Sequence, residues 1–258
     1  ELLAHQFFFR GKYHENKSYK SKPVLYSDDV QQAFLKNLEF KLTNQQQSVF
    51  SEIKNNLNQT YPMNRLLQGD VGSGKTVVAA MAALQAINSD FQVAFLAPTE
   101  ILAEQHYEKL SFWFSKLGIK VELLTGSIKP KIKAKSYERI KNGEAKLIVG
   151  THAIIQEKVQ FKFIGFYIID EQHRFGVKQR LALRKKSLLN KDFEPHQLMM
   201  SATPIPRTLA MSYFADMDIS IINEMPPGRK SITTKVFSNE KRDEILDTIN
   251  QHCFNNNQ

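Results

Sequence analysis

The segment that most constrains this 258-residue sequence is a short glycine-rich run, Gly69-Asp70-Val71-Gly72-Ser73-Gly74-Lys75-Thr76. It fits the pattern G-x-x-x-x-G-K-[ST] completely, and it lies between an apolar run and a segment with helical spacing. In such a loop the backbone N–H groups approach phosphate oxygens, the lysine reaches the β- and γ-phosphates, and the hydroxyl binds magnesium. The eight residues therefore predict a nucleoside triphosphate site, with Lys75 on the phosphates and Thr76 on Mg²⁺.

Short apolar runs alternate with helical segments from about residue 65 onwards, which predicts an α/β fold. We expect a doubly wound parallel sheet with helices on both faces. The predicted strands are 65–68, 92–97, 119–124, 146–149, 167–169 and 197–200. The predicted helices are 76–88, one capped by Thr99 that stops at Gly118, one from Pro130 to about Gly143, and one that ends near Leu181.

Composition divides the chain into three parts. Residues 1–40 are mostly helical in pattern but too polar to build a core alone, and they open without an N-cap, so we expect a fragment of a longer chain. Residues 41–225 carry the α/β pattern. Residues 226–258 open with a Pro-Pro-Gly turn, and a strand at 231–237 and a helix at 239–253 are expected after it.

The charge is unevenly distributed. The net charge is +9, and basic residues concentrate in three stretches, 10–22, 129–146 and 174–191, the last with seven Lys or Arg and no acidic residue. Such clusters suit a polyanion such as nucleic acid. The alternative is that they are solvated helix faces, and charge alone leaves both interpretations open.

Two classes of protein are excluded by simple counts. Cys253 is the only cysteine, which excludes an internal disulfide framework and multi-cysteine metal sites and fits a reducing cytosol. No run approaches 18 apolar residues, so no membrane span is predicted. We expect a cytoplasmic protein that does not enter a membrane.

A second motif, Ile168-Ile169-Asp170-Glu171-Gln172-His173, places two carboxylates at the end of an apolar strand. In a parallel sheet, ligands gather at the carboxyl ends of strands. Asp170 would then hold Mg²⁺, directly or through water, and Glu171 would orient or deprotonate the attacking water. The alternative for an isolated Asp-Glu pair is a strand-end turn or a helix cap.

With these two motifs on the chain, several others resemble those of superfamily-two helicases and translocases with a D-E-x-H box. Leu42-Thr43-Asn44-Gln45-Gln46 resembles the adenine-reading Gln motif, with Gln46 as the reader. Three segments resemble motifs that bind a nucleic-acid strand: Pro98-Thr99-Glu100, Thr125-Gly126 and Gly150-Thr151-His152. A fourth, Ser201-Ala202-Thr203, resembles the motif that couples hydrolysis to movement. Each of these motifs has another interpretation when it is taken alone: Gln46 as an exposed helix side chain, His152 as a turn residue and Thr203 as a helix cap. The order and spacing of the motifs together carry the resemblance.

Within that superfamily, residues 69–76, 170–176 and 200–210 are most similar to the RecG branch-migration helicases. The resemblance implies a RecA-like lobe that uses ATP and Mg²⁺ and acts on branched DNA such as stalled forks and Holliday junctions. It implies catalytic roles for Lys75, Asp170, Glu171, Gln172 and His173, and it places Arg174 at the DNA backbone or on the coupling path.

The same resemblance implies a monomer with an N-terminal wedge domain and a second RecA-like lobe. Residues 1–40 would be the helical linker from the missing wedge, 41–225 the first RecA-like lobe, and 226–258 the linker and the start of the missing second lobe. The arginines that the second lobe would bring to the γ-phosphate would lie beyond residue 258. Because such an arginine is worth about 10³ to 10⁵ in rate, we expect the chain alone to bind nucleotide weakly and to hydrolyse little.

Three other functions remain to be weighed. A transcription-repair coupling factor shares the Pro-Ile-Pro-Arg-Thr-Leu stretch, but Ser73 and Gln172 look like the RecG family. A P-loop GTPase or small-molecule kinase is a second alternative; guanine readers usually need Asn-Lys-x-Asp, and Asn190-Lys191-Asp192-Phe193 has Phe in the last position. The third is a non-catalytic DNA-binding module that uses nucleotide as a switch.

Overall fold

The computed structural model describes residue 11 and residues 17–171, 193–203, 217–225 and 236–256. The chain divides into two compact units, Glu1–Pro226 and Pro227–Gln258, which are described separately. Within the described residues, no helix combines the length and the apolar composition that crossing a membrane requires.

The strands of the first unit are β1 (Asn64–Gly69), β2 (Gln92–Leu96), β3 (Val121–Leu124), β4 (Leu147–Gly150), β5 (Ile164–Ile169), β6 (His196–Ser201) and β7 (Asp218–Ile222). Its helices are α1 (Asp28–Lys36), α2 (Asn44–Leu57), α3 (Lys75–Asn88), α4 (Glu100–Ser115) and α5 (Pro130–Asn142), with a short 3₁₀ turn at His152–Ile155. In the second unit, a 3₁₀ turn (Asn239–Lys241) leads into α6 (Arg242–Asn256).

The seven strands form one sheet in the order β3-β4-β2-β5-β6-β1-β7, and every pair is parallel. β6 separates β1 from β5, so the loops after these three strands emerge side by side at the carboxyl edge of the sheet. This edge is where a doubly wound sheet binds its ligands. The predicted fold class, an α/β fold with a doubly wound parallel sheet, is confirmed.

A hydrophobic core lies on each face of the sheet. Successive strand residues point to opposite faces; in β2, Val93 and Phe95 join one cluster, whereas Ala94 and Leu96 join the other. The first cluster includes most of α3, which is buried along nearly its whole length. This double burial explains why β2, β4 and β5 appear in the sequence as continuous apolar runs.

The structure corrects the predicted elements at several points. The predicted strands are found, with ends shifted by up to three residues, but β7 was not predicted. Its five residues, DISII, include Asp218 and Ser220 and so form no continuous apolar run, and Ile221 stays exposed. The helix expected to end near Leu181 lies outside the described residues, as does 231–235; Val236 and Phe237 are described and are not in a strand.

Residues 1–40 were expected to be mostly helical, but residues 20–27 run without helix or strand before α1. Pro23 has no N–H for a helical hydrogen bond. The backbone instead bonds to the lobe: Ser21 N–H donates to Thr60 O at 2.7 Å, and Val24 N–H donates to Leu57 O at 2.8 Å. From α1, Phe34 is fully buried in the core of the first unit.

Candidate functional site

A cleft of about 500 Å³ opens at the carboxyl edge of the sheet. It is lined by the glycine-rich loop and the first residues of α3, by Asp170 and Glu171 after β5, by Ala202 after β6, and by one face of α4. The volume is within the range of small-molecule and cofactor pockets. The two motifs that were predicted to share a site therefore do share one.

The glycine-rich loop has a backbone that requires its glycines. Gly72 has φ of 82° and Gly74 has φ of 90°, a region that L side chains rarely adopt. Within the loop, Val71 N–H donates to Asp70 Oδ1 at 2.7 Å, and Ser73 N–H donates to Asp70 O at 3.1 Å. Gly74 is the N-cap of α3 and provides no side-chain cap, so the helix presents its first N–H groups to the cleft.

Lys75 is held in the cleft by carbonyl groups. Its Nζ donates to Gly69 O at 2.6 Å and to Asp70 O at 3.1 Å. Burial lowers the pKa of Lys75, although the negative charges of Asp170, Glu171 and Asp70 oppose that shift. A half-buried ammonium group of this kind gains stability from an anion, and it can exchange its two carbonyl contacts for phosphate oxygens.

Asp170 is fixed from three sides. Its backbone N–H donates to Leu96 O at 2.8 Å, its Oδ1 accepts the N–H of Glu171 at 3.1 Å, and its Oδ2 lies 2.7 Å from Nε2 of His106. His106, in α4, was not predicted as a site residue. Glu171 follows with φ of 49°, an uncommon backbone conformation for a residue other than glycine.

Gln46 lies against the glycine-rich loop. It forms a capping box with Thr43 at the start of α2, and its Nε2 donates to Ser73 O at 2.8 Å while its Oε1 accepts the N–H of Thr43 at 2.9 Å. Only 1% of Gln46 is exposed, so the alternative of an exposed helix side chain is wrong. Its role as an adenine reader stays a prediction.

Two aromatic side chains that the motifs did not include border the same cleft. Phe40 and Trp113 contact each other edge to face, with ring centroids 6.3 Å apart, and Nζ of Lys109 lies 5.3 Å from the Trp113 centroid. Phe40 is 46% exposed. No motif or charge pattern marks Phe40 or Trp113 in the sequence; the fold places both rings at the cleft.

The motifs predicted to contact nucleic acid follow β2, β3 and β4 at the same edge, and they contact one another. Oε1 of Glu100 accepts the N–H of Ser127 at 3.1 Å, directly after Thr125-Gly126. Hydrogen bonds from Ser127 lower the pKa of Glu100. The N–H of Thr151 donates to Leu124 O at 3.3 Å. The structure thus brings together Pro98-Thr99-Glu100, Thr125-Gly126 and Gly150-Thr151-His152.

Ser201-Ala202-Thr203 lies at the end of β6, and Ala202 lines the cleft. The hydroxyl groups of Ser201 and Thr203 lie 2.9 Å apart, and Nε2 of Gln68 donates to Thr203 O at 3.0 Å. The motif after β6 is therefore bonded to β1 immediately before the glycine-rich loop. The other predicted site residues, Gln172, His173 and Arg174, lie outside the described residues.

Comparison with known proteins identifies the family. Residues 43–212 match the family model for the DEAD/DEAH box helicases. The chain belongs to the DEAD/DEAH box helicase family. The matched residues include both motifs of the cleft, and this membership is inconsistent with a P-loop GTPase or a small-molecule kinase.

Among curated members of this helicase family, the chain is similar to ATP-dependent DNA helicase RecG. It is 51% identical to the Haemophilus influenzae protein over 255 residues, and 48% identical to the Escherichia coli K12 protein over 254 residues. These alignments cover 99% and 98% of this chain but 37% and 36% of the relatives, so the chain spans about a third of their length.

A solved structure of RecG bound to a three-way DNA junction has the same fold. It superposes with a TM-score of 0.88 at 42% identity, covering 99% of this chain and 34% of that chain. The resemblance to the RecG helicases that the sequence motifs predicted is therefore confirmed.

A DEAD/DEAH box helicase uses a nucleotide, typically with Mg²⁺, and the cleft fits that group. Ser73 Oγ is fully buried and has no hydrogen-bond partner among the described residues. At Gly74 a Cβ atom would clash with Nε2 of Gln46. A tight loop with uncapped N–H groups, one ammonium group, and the oxygens of Thr76 and Asp170 provides donors for phosphate and hard ligands for Mg²⁺.

Proposed function

We propose that this chain is the first motor lobe of a RecG-type, ATP-dependent DNA helicase that drives branch migration and fork regression in DNA recombination and repair. The observation that carries the proposal is the meeting of the phosphate loop with Asp170 and Glu171 in one cleft. The proposal is supported by 44–51% identity to RecG helicases along most of the chain.

The cleft residues divide the work on the nucleotide. Lys75 would leave its contacts with Gly69 O and Asp70 O and bind the β- and γ-phosphates, beside the first N–H groups of α3. Thr76 and Asp170 would hold Mg²⁺, which supplies positive charge to the phosphates when it is bound. Glu171 would orient the attacking water and accept its proton.

Base recognition would use the residues at the other end of the cleft. Gln46 and the exposed ring of Phe40 line the cleft on the side of α2 and Trp113. A planar ring beside a base provides apolar contact and stacking. Besides its contacts with Ser73 and Thr43, the Gln46 amide keeps one N–H donor and one Oε1 lone pair, and these would read adenine.

Branched DNA is the proposed partner, as in the RecG structure with a three-way junction. Residues 98–100, 125–126 and 150–152 would face the DNA backbone, and Ser201, Ala202 and Thr203 would link that surface to the cleft. A wedge domain and a second RecA-like lobe would complete a monomeric, cytoplasmic enzyme.

ATP hydrolysis by the complete enzyme tests this function. Lys75→Ala and Glu171→Gln are expected to abolish DNA-stimulated hydrolysis, because one removes the phosphate ligand and the other the base, while binding of a three-way junction survives. Lys116→Ala, which changes an exposed lysine directly after α4, serves as the control and should hydrolyse ATP normally. Hydrolysis retained in both cleft variants would contradict the assignment.

A further inference from the structure

His106, which lies outside the predicted motifs, contacts the predicted Mg²⁺ ligand. Its Nε2 is 2.7 Å from Oδ2 of Asp170. A carboxylate has no proton to donate, so Nε2 carries the hydrogen and donates it. The two side chains are only 12% and 13% exposed, so little water competes for this hydrogen bond.

The imidazole is itself held in place by the fold. The ring of Phe95, which is fully buried in β2, packs against it with centroids 4.6 Å apart. The helix that carries His106 begins at a fixed point, because the hydroxyl of Thr99 accepts the N–H of Leu102. His106 therefore meets Asp170 from a rigid element that the adjacent strand supports.

The hydrogen bond fixes the carboxylate oxygen of Asp170 that the backbone of Glu171 does not hold. Oδ1 accepts the N–H of Glu171 at 3.1 Å, and Oδ2 accepts from His106. Each carboxylate oxygen has a second lone pair. The orientation of the group is thus set while both oxygens keep the capacity to bind a metal ion or its water.

We propose that His106 is a positioning residue of the metal site: it holds the Asp170 carboxylate in the orientation that binds the Mg²⁺ of a bound nucleotide. The proposal rests on the proposed function, because Asp170 is the Mg²⁺ ligand only if the cleft binds a magnesium nucleotide. Removal of such an outer partner typically costs about 10-fold to 100-fold in metal affinity or activity.

The test compares variants that keep or lose the N–H donor. His106→Phe keeps a ring against Phe95 but loses the donor, and His106→Gln keeps a donor amide. The control is Tyr107→Phe, which removes a hydroxyl from the next residue of α4. Binding of a fluorescent ATP analogue to the chain is measured as Mg²⁺ is titrated, and again in EDTA; thermal unfolding monitors the fold.

We expect His106→Phe to raise the Mg²⁺ concentration for half-maximal nucleotide binding about 10-fold, with unchanged affinity in EDTA. His106→Gln should recover part of the loss, and Tyr107→Phe should match the wild type. If His106→Phe does not fold, the pair His106→Gln and His106→Leu gives the same comparison.

Equal Mg²⁺ dependence in the donor-less variant and the wild type would overturn the positioning role while leaving the proposed function intact. Equal loss of affinity with and without Mg²⁺ would also overturn it, because that result indicates a packing role. Failure of the proposed function looks different: wild-type binding would then be unaffected by Lys75→Ala.

Discussion

The side-chain amide of Gln46 donates to the backbone oxygen of Ser73 at 2.8 Å and so joins the start of α2 to the centre of the phosphate loop. The next residue, Gly74, has φ of 90°, and Nε2 of Gln46 occupies the space where a Cβ atom would lie. The conformation of the loop and the position of Gln46 therefore depend on each other.

Gly74→Ala is expected to abolish nucleotide binding. The new methyl group would displace Gln46, and the left-handed backbone would cost about 1–2 kcal/mol. Gly118→Ala is a matched control, since Gly118 also has positive φ (71°) but no atom within 4 Å of a Cβ. It should lose similar backbone stability while binding a fluorescent ATP analogue normally. Equal nucleotide affinity in the two variants would contradict this account of the loop.

Arg65→Met is expected to destabilise the first unit by about 2–3 kcal/mol, because it removes the buried guanidinium and leaves its charged and polar partners without these hydrogen bonds. Arg65, at 7% exposure, donates to Glu52, Asn56 and Ser220 and thereby ties β1 to α2 and β7. The ion pair of the exposed Arg139 with Glu122 provides the control: Arg139→Met should cost less than about 1 kcal/mol. Urea unfolding measures both, and equal losses would show that the Arg65 network adds nothing.

Stability should fall as the pH decreases from about 6.5 to about 4, because of His196. Burial keeps the imidazole of His196 neutral. Its Nδ1 accepts the N–H of Met63 at 3.0 Å, and its Nε2 lies 2.9 Å from Lys22 O. Burial lowers the pKa of His196 from 6.5 to about 4. Between these two pH values the histidine is protonated in the unfolded chain but not in the folded one. Its contribution to the free energy of unfolding, up to about 3 kcal/mol, is therefore fully present above pH 6.5 and is lost on acidification.

Urea unfolding at pH 7 and pH 5 checks the role of His196. The pH dependence should be flatter in His196→Asn and unchanged in His152→Asn, since His152 is exposed. An equally steep dependence in His196→Asn would assign it to other groups.

Gln45→Ala is expected to loosen the chain after β7. Oε1 of Gln45 accepts hydrogen bonds from the backbone N–H groups of Asn223 and Glu224 at 2.6 and 2.7 Å. The backbone N–H of Gln45 donates to Oε2 of Glu224 at 2.9 Å. Amide hydrogen exchange at Asn223 and Glu224 should accelerate, with a loss of about 1 kcal/mol in stability. Gln47→Ala, at an exposed position, should leave both amides protected; equal exchange in the two variants would contradict the role of Gln45.

Features that depend on local chemistry were predictable from the sequence. The glycines of the phosphate loop, the Thr99 cap of α4 and the end of α5 at Gly143 each follow from neighbouring residues, and the structure shows all three. The shared cleft was predictable for a related reason, since strand ends of a parallel sheet gather at one edge.

Features that depend on distant contacts were not predictable. His106 lies 64 residues before Asp170, and only the adjacency of β2 and β5 brings α4 to that carboxylate. β7 pairs with β1, and its Ser220 contacts Arg65, so its place in the sheet depends on residues more than 150 positions away. Gln46 was ambiguous because a polar residue in a helix gives no sign that a loop 27 residues away will bury it.

Nucleotide binding tests the central claim most directly. A fluorescent ATP analogue with Mg²⁺ is titrated into the chain and into its Lys75→Ala variant, with excess unlabelled ATP or GTP as competitor. The account predicts binding that Lys75→Ala abolishes, that ATP displaces and that GTP displaces poorly. Binding that is indifferent to Lys75, or that GTP displaces as well as ATP does, would contradict an adenine-reading motor lobe.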